Sequence, residues 1–321
     1  MTPPETDLFS TVIAPLQEAW DGQLARLASG GVRPKGLAGV VDDGQFTALV
    51  SGLVNGVIAA VHALDESAAV VVEKSPSHSQ HVALIRKYIP DAAFVHVVRD
   101  GRDVVASLQS AARGWGSYWA SESTRNGAQR WRENVRAARD ATRGPHDTEV
   151  RYEHLRAGDP EPLQRAFATC GLTVDRSYCT ALLERYSLGR MASGVTPGTI
   201  AFGGALRAGD GAHREPDGFF GPGRVGGWAD TWAEQDRLRF DAVAGDLLLE
   251  LGYEPDHEWA GSSRQRRWYA RRAYAARYVG KSARRIGRTL TRSSERLLSR
   301  FPEGAGRQSS PSTDEAGGAV R

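Results

Sequence analysis

Cysteine is nearly missing from this sequence of 321 residues, which contains only Cys170 and Cys179. Disulfide frameworks and structural zinc sites need several cysteines at short, regular spacings. The sequence therefore argues against both kinds of site, predicts no disulfide partner for either cysteine and contains no pattern that requires a metal ion. Its cysteine content is typical of a protein in a reducing cytoplasm.

A long uninterrupted apolar run is also missing. The N-terminus, MTPPETDLF, is acidic and has no apolar core of the kind that signal peptides carry. The most apolar stretch, residues 50–72, is interrupted by Asn55, His62, Asp65 and Glu66, so we do not expect it to span a membrane. These features predict a cytoplasmic protein.

Lysine is scarce as well, with four lysines against 37 arginines. This skew, together with abundant alanine and glycine, is typical of GC-rich bacterial genomes, and we predict a bacterial origin. The charge is unevenly distributed, because residues 1–263 carry a net charge of −8 and residues 264–300 carry +12. The sequence therefore predicts an acidic domain with a basic tail.

Three segments follow from composition: a globular domain over residues 1–260, a basic amphipathic helix over 261–303 and a disordered C-terminus over 304–321. In the tail, Ile286 and Phe301 share one helical face and arginines fill the rest. Such a helix, taken over residues 264–301, is typical of binding to an anionic membrane surface, which would place the protein on the inner face of the membrane. A helix packed on the acidic domain, a solvated extension and nucleic-acid binding are the alternatives.

Strand-like and helix-like segments alternate in the predicted domain. Short β-branched runs at 69–73, 93–98 and 148–152 are typical of buried parallel strands. The residues before 44 show no clear pattern and are predicted to be irregular, whereas the Gly-rich residues 188–227 are predicted to form a lid or a disordered loop. Helices are predicted over residues 44–64 (with Asp42 or Asp43 as N-cap), 77–90, 101–112, 123–142, 160–170, 175–187 and 233–251. This alternation predicts an α/β domain with a parallel sheet.

Two motifs place basic side chains directly after a predicted strand. Lys74 follows one strand in VVEKSPSH, and Arg99 follows the next in FVHVVRDGRDVVASL, with Ser107 two turns into the helix that begins there. Open α/β sheets bind ligands at the carboxyl ends of their strands, where helix N-termini attract anions. The pattern suits a multiply charged nucleotide, and the alternative interpretation is a solvated turn of ion pairs at residues 99–103.

The run EKSPSH, followed about fifteen residues later by VHVVRDGRDVVASL, resembles the sulfotransferases that use 3′-phosphoadenosine-5′-phosphosulfate (PAPS), especially their bacterial and tyrosylprotein-type branch. The similarity continues through TEVRYEHL and through GRVGGWADTWAEQDRLRFDAVAGDLLLELGY. The resemblance implies a P-loop-like parallel sheet flanked by helices. It also implies transfer of the sulfuryl group from PAPS to a hydroxyl, or an amine, of an acceptor.

The resemblance also assigns roles to individual residues. Arg99 and Ser107 would hold the 3′-phosphate of PAPS, and Tyr152 would help to seat the nucleotide. Lys74 would contact the bridging side of the sulfuryl group. The chemistry agrees, because a guanidinium grips phosphate with two donors and an ammonium stabilises charge on a leaving phosphate.

The resemblance places the catalytic base in PPETDLF, where Glu5 falls on the glutamate that deprotonates the acceptor in the tyrosylprotein branch. A carboxylate can act as base when burial raises its pKa. The alternative is that this segment is an exposed chain start with Thr6 or Asp7 as helix N-cap. His78 is a rival base, but the family histidine lies two residues after the lysine, where this sequence has Pro76.

The sequence departs from the family in two places. The phosphate loop, Gly-x-x-Arg/Lys-Ser-Gly-Thr-Thr, would precede PPETDLF and does not occur, although it holds the 5′-phosphosulfate and follows a central strand. A misassigned start, a degenerate relative and a strand supplied by another chain are the alternatives, and we expect the chain as written to be poorly stable and inactive. Gly-Pro-Gly at 221–223 replaces the usual Arg-Lys-Gly, so we predict that Arg224, or Arg214, contacts the nucleotide instead.

The competing interpretation is a non-catalytic sulfotransferase-like protein that binds membrane or nucleic acid through its tail. A phosphotransferase is a third possibility, since lysine and arginine at strand ends serve phosphates equally well. The acceptor of an active enzyme would be a small molecule, a glycan or a lipid. Its selection is predicted to lie in residues 114–124 and 188–227.

Overall fold

A computed structural model describes residues 5–29, 36–142, 144–192, 224–269 and 271. The chain divides into two compact units, residues 1–266 and 267–321, and the helices and strands from Leu8 to Ala260 belong to the first. The predictions for Arg214, for most of the Gly-rich loop and for the basic tail beyond residue 271 lie outside the described residues. The predicted domain limits at 260 and 303 stay predictions.

The helices and strands alternate, as the sequence pattern predicts for an α/β domain. Their bounds are a π-helical turn Leu8–Ile13, α1 Ala14–Ala28, α2 Asp43–His62, α3 Val82–Tyr88, β1 Phe94–Val98, α4 Gly101–Ala112, α5 Thr124–Ala141, β2 Asp147–Arg151, α6 Tyr152–Arg156, α7 Glu161–Thr169, α8 Arg176–Arg185, α9 Leu188–Ala192, α10 Trp228–Thr231 and α11 Glu234–Glu250. Short 3₁₀ turns lie at Leu37–Gly39, Pro76–Gln80 and Glu258–Ala260.

The sheet consists of β1 and β2, which pair in parallel with Phe94 opposite Asp147 and Val98 opposite Arg151. Both strands lie within one residue of their predicted bounds. The strand predicted at residues 69–73 is wrong, because residues 70–75 have no regular secondary structure and the sheet of the described chain holds two strands only. A β-branched run becomes a strand only where a neighbouring backbone completes its ladder of hydrogen bonds.

The N-terminal region is helical, so the prediction of an irregular segment before residue 44 is wrong. Phe9, Ile13 and Trp20 are buried along the π-helical turn and α1, and the Trp20 ring stacks on Phe46 of α2 at 4.3 Å between centroids. This packing against α2 stabilises a helix whose own apolar periodicity is weak. Asp42 forms a capping box with Gln45, which confirms the predicted start of α2.

Two hydrophobic clusters support the molecule, and β1 contributes its last residue to one and its first residue to the other. The first joins β1, α4, α5 and α11 around Trp131, Phe240 and Leu247. The second joins the N-terminal helices and α3, and Phe94 at the start of β1 packs against it. The first cluster includes Val98 before the turn that follows β1 and Val105 after it, so the turn is held at both ends.

Helix α2 is long and apolar enough to cross a membrane by length and composition, and it is the one such helix among the residues described. Phe46, Val50 and Val54 on one side are buried in the second cluster, whereas Leu49 and Leu53 are exposed. Core helices of globular proteins pass the same test of length and composition. The prediction that this stretch does not span a membrane stays a prediction.

Candidate active site

The carboxyl ends of both strands meet at one edge of the sheet, because β1 and β2 are parallel. Arg99 follows β1, and Tyr152 begins α6 directly after β2. The Arg99 guanidinium lies over the Tyr152 ring, 4.5 Å from its centroid. The Asp100 N–H donates to Glu153 at 2.9 Å, which ties the two strand ends together. Two of the predicted nucleotide residues are therefore in contact.

Arg99 is oriented by several neighbours but not saturated by them. Its Nη2 donates to the backbone carbonyl of Arg224 at 3.4 Å and lies 3.8 Å from the Asp103 carboxylate. The Trp131 indole donates to the Arg99 carbonyl at 3.1 Å and fixes the backbone. The buried Nε of Arg99 has no hydrogen-bond partner among the described residues. Because 20% of the Arg99 side chain is nevertheless exposed, the guanidinium can still donate to an anion.

The turn at residues 99–103 is not the solvated turn of the alternative interpretation, because Asp100, Arg102 and Asp103 are all buried. Asp100 caps α4 by accepting from the Arg102 N–H at 2.8 Å, and its carboxylate also pairs with the Arg102 side chain. Arg102 lies against the rings of both Trp228 and Trp259, 4.2 and 4.7 Å from their centroids. Burial opposes the charged form of Arg102, but Asp100 and its other carboxylate partner outweigh burial and raise its pKa.

Asp103 joins this turn to a distant part of the chain. Its carboxylate accepts from the N–H groups of Gly226 at 2.9 Å and Trp228 at 3.1 Å. Gly226 has φ 77°, a left-handed conformation that favours glycine. Burial raises the pKa of Asp103, although the two N–H donors and Arg99 oppose the shift. No sequence pattern predicts this contact of Asp103, whose only local signal is an acid four residues after Arg99.

Glu5 and Lys74, the two predicted catalytic residues, form an ion pair. Both are accessible, with 44% of the Glu5 side chain and 66% of the Lys74 side chain exposed. Burial, the condition under which Glu5 would become a stronger base, is therefore not met. Asp7 precedes the π-helical turn without a side-chain capping bond, whereas the Thr6 hydroxyl accepts from the Leu8 N–H at 3.2 Å.

The segment that carries Glu5 is fastened to the segment that carries Lys74. Thr6 donates to Glu73 from its backbone N–H at 3.1 Å and from its hydroxyl at 2.7 Å. The Asp7 N–H donates to the Ser75 hydroxyl at 3.2 Å, and Ser77 donates to the Asp7 carboxylate at 2.9 Å. Four long-range hydrogen bonds thus place Glu5 beside Lys74.

Glu73 is the centre of this attachment, and no sequence pattern predicted this role. Besides Thr6, its carboxylate accepts from the Ser75 hydroxyl at 2.8 Å and lies 2.7 Å from His78 Nδ1. Burial opposes ionisation, but contacts with His78, Thr6 and Ser75 outweigh it and lower the pKa of Glu73 to about 2. His78 Nε2 is buried without a hydrogen-bond partner among the described residues. An imidazole enclosed in this way does not face an acceptor, which weighs against His78 as the base.

The remaining predicted residues take different positions. Ser107 lies on the exposed side of α4. Arg224 reaches Arg99 through its carbonyl, while its exposed side chain pairs with Asp230 at 2.9 Å. In the described part of the chain, no group of three or more His, Cys, Asp or Glu side chains is placed to hold a metal ion. The predicted residues thus form one group around Arg99 and a second at Glu5 and Lys74, with Ser107 on α4.

Comparison with protein-family models finds a match to the model described as the sulfotransferase family, over residues 5–176. The matched region covers just over half of the 321 residues. It contains Glu5, Lys74, Arg99, Ser107 and Tyr152, and it ends before Arg224. No curated protein matches the sequence significantly. Because this match covers more than half of the chain, the chain belongs to the sulfotransferase family.

Proposed function

We propose that this protein transfers the sulfuryl group of PAPS to a hydroxyl of an acceptor, as a P-loop-like member of the bacterial and tyrosylprotein-type branch. Membership of the sulfotransferase family supports the reaction class. The observation that carries the choice of donor is Arg99. It is stacked on Tyr152 at the carboxyl edge of a parallel sheet, and 20% of its side chain is exposed there. That position suits the 3′-phosphate that distinguishes PAPS from simpler adenosine nucleotides.

In this proposal the nucleotide is held from several directions. Arg99 donates to the 3′-phosphate, and the Tyr152 ring beneath the guanidinium keeps the guanidinium in position. Ser107 on α4 adds a hydroxyl donor, and the exposed side chain of Arg224 adds a second guanidinium after release from Asp230. PAPS is a substrate in this reaction, and nothing in the reaction requires a metal ion.

The acceptor oxygen would attack sulfur in line with the bond from sulfur to the bridging phosphate oxygen. The new oxygen–sulfur bond forms as the bridging bond breaks, and the electron pair leaves on adenosine 3′,5′-bisphosphate (PAP). Lys74 would stabilise the negative charge on that leaving phosphate, and Glu5 would accept the proton of the acceptor hydroxyl. Their ion pair has to open so that each side chain faces its own substrate.

The 5′-phosphosulfate needs a cradle that these 321 residues do not encode, since no Gly-x-x-Arg/Lys-Ser-Gly-Thr-Thr occurs among them. Because PPETDLF resembles the segment that follows this loop in the family, we propose that the loop is encoded before the Met1 codon. The genomic DNA before the Met1 codon tests this point. In-frame codons for a strand and this loop would support it, and an intervening stop codon would contradict it.

Calorimetric titration with PAP tests the nucleotide assignment. We expect PAP to bind more tightly than adenosine 5′-monophosphate (AMP), which lacks the 3′-phosphate. Arg99→Ala should weaken PAP binding by about tenfold or more and leave AMP binding unchanged, since hydrogen bonds to charged groups contribute about 1.5–3 kcal/mol. Arg132→Ala is the matched control, because Arg132 also pairs with a carboxylate, that of Asp246 on α11. Equal affinities of the wild type for PAP and AMP would contradict the proposal.

A further inference from the structure

We propose that Asp103 is a positioning residue of the nucleotide site. Its carboxylate holds the backbone of residues 224–228, which we call the strap, against the N-terminus of α4. The strap then sets the direction of the Arg99 guanidinium. This inference rests on the proposed function, because it concerns the same 3′-phosphate subsite.

Asp103 is buried and therefore depends on hydrogen-bond donors from the protein. Only 2% of its side chain is exposed, although a carboxylate loses much hydration free energy when it leaves water. A carboxylate remains in such a place when specific donors replace the water. For Asp103 these donors are the strap N–H groups of Gly226 and Trp228, which belong to a segment more than 120 residues away in sequence.

The strap has a conformation that brings two of its N–H groups to Asp103. Gly226 takes a left-handed φ of 77°, and the N–H groups of Gly226 and Trp228 both reach one carboxylate. The Trp228 ring then lies on the guanidinium of Arg102, at 4.2 Å. The strap is therefore fixed by its backbone to Asp103 and by one ring to the neighbouring residue of α4.

Arg99 contacts the strap more closely than it contacts Asp103. Arg99 Nη2 donates to the strap carbonyl of Arg224 at 3.4 Å, and its distance to Asp103 is 3.8 Å. The Arg102–Asp100 pair in the same turn is much closer, at 2.7 Å. Arg99 is thus directed by the strap without being neutralised in a tight ion pair, which leaves its charge for a phosphate. Asp103 acts on the nucleotide only through the strap and Arg99.

The test compares the affinities of Asp103→Asn for PAP and for AMP by calorimetric titration. The amide has the shape of the carboxylate, but its NH₂ group faces a strap N–H, and the charge is lost. We expect PAP binding to weaken by about tenfold and AMP binding to stay within twofold of the wild type. Asp241→Asn is the matched control, because Asp241 is a largely buried carboxylate of α11 that pairs with His257 at 2.6 Å. Its PAP affinity should equal that of the wild type.

The outcomes separate this inference from the proposed function. A wild type that binds PAP no better than AMP overturns the proposed function itself. A wild type that prefers PAP, with an Asp103→Asn variant that prefers it equally, overturns the role of Asp103 alone. Equal losses for PAP and AMP, or equal losses in Asp103→Asn and Asp241→Asn, point to general destabilisation and also overturn the role.

A second variant decides the question should Asp103→Asn fail to fold. Gly226→Ala leaves every side chain of α4 in place and strains the strap alone, since alanine disfavours a φ of 77° and a Cβ there meets no other atom within 4 Å. We expect a severalfold loss of PAP affinity with unchanged AMP affinity. An unchanged PAP affinity in this variant would overturn the inference.

Discussion

Glu73 is the residue on which the attachment of the N-terminal segment depends. Its carboxylate receives both donors of Thr6, and through this contact Glu5 stays beside Lys74. A lowered pKa in the folded state means that folding favours the ionised form. The stabilisation by Glu73 is therefore fully present above its ordinary pKa and is lost as the pH falls through the folded value.

Replacing Glu73 by glutamine should remove this dependence on pH. With the folded pKa at about 2 and the ordinary value at 4.5, ionised Glu73 contributes on the order of 3 kcal/mol to the free energy of unfolding near neutral pH. Urea unfolding of the wild type and of Glu73→Gln measures this contribution to the free energy of unfolding. The difference between the two proteins should be largest at pH 7 and should shrink as the pH falls from about 4.5 toward 2. A difference that stays constant over this range would contradict the assignment.

Helix α4 is the element that organises the candidate site. Gly101 allows it to begin beside α5, since a Cβ at this position would lie 2.4 Å from the Trp131 ring. The same tryptophan donates to the Arg99 carbonyl, so the approach of the two helices and the position of Arg99 depend on one contact. The absence of a side chain at Gly101 is therefore required both for the position of Arg99 and for the packing of α4 against α5.

Two glycine substitutions test this requirement at the scale of the helix. Gly101→Ala should lower the free energy of unfolding by about 1–3 kcal/mol, because the added methyl overpacks the contact with Trp131. It should also weaken PAP binding by displacing Arg99. Gly56→Ala in α2 is the control, since nothing lies within 4 Å of a Cβ there and alanine favours a helix by up to about 1 kcal/mol. Equal thermal melting shifts in the two variants would contradict the packing argument.

The sequence predicted well the elements that have a strong pattern of their own, or that pack against segments close to them in the chain. The strand β1 and the helix α4 follow from a β-branched run and an apolar periodicity, and Arg99 could be placed at the strand end from this order alone. The contacts of Glu73 and Asp103 could not be predicted, because they join segments 67 and 123 residues apart that carry no shared local signal. The strand predicted at 69–73 failed for a related reason, since a strand depends on a partner that its own sequence does not specify.

At the scale of the whole molecule, the separation of charge is the main unexplained feature. The residues before 264 carry a net −8, and residues 264–300 carry +12. A chain with such a tail is expected to reach anionic lipid surfaces, where each basic residue contributes about 1 kcal/mol. The predicted peripheral location rests on this charge and, like the predicted cytoplasmic location, stays a prediction.

Vesicle flotation tests the role of the tail. The full chain should float with vesicles that contain anionic lipid at low salt, and it should be released as the ionic strength rises because the attraction is screened. Vesicles of neutral lipid are one control. A full chain with glutamine in place of the arginines between 264 and 300 is the other. Flotation that is independent of the lipid charge would contradict an electrostatic mechanism, and binding to none of the vesicles would remove the membrane hypothesis.

The distance in sequence between Asp103 and the strap has a consequence for synthesis on the ribosome. Gly226, whose N–H donates to Asp103, is added to the growing chain 123 residues after Asp103. At roughly 5–20 residues per second, that interval lasts about 6–25 seconds. During this time the carboxylate has no strap to bind, and the N-terminal turn of α4 remains hydrated. The edge of the sheet that is proposed to bind the nucleotide is therefore completed late in synthesis, after both strands of the sheet have left the ribosome.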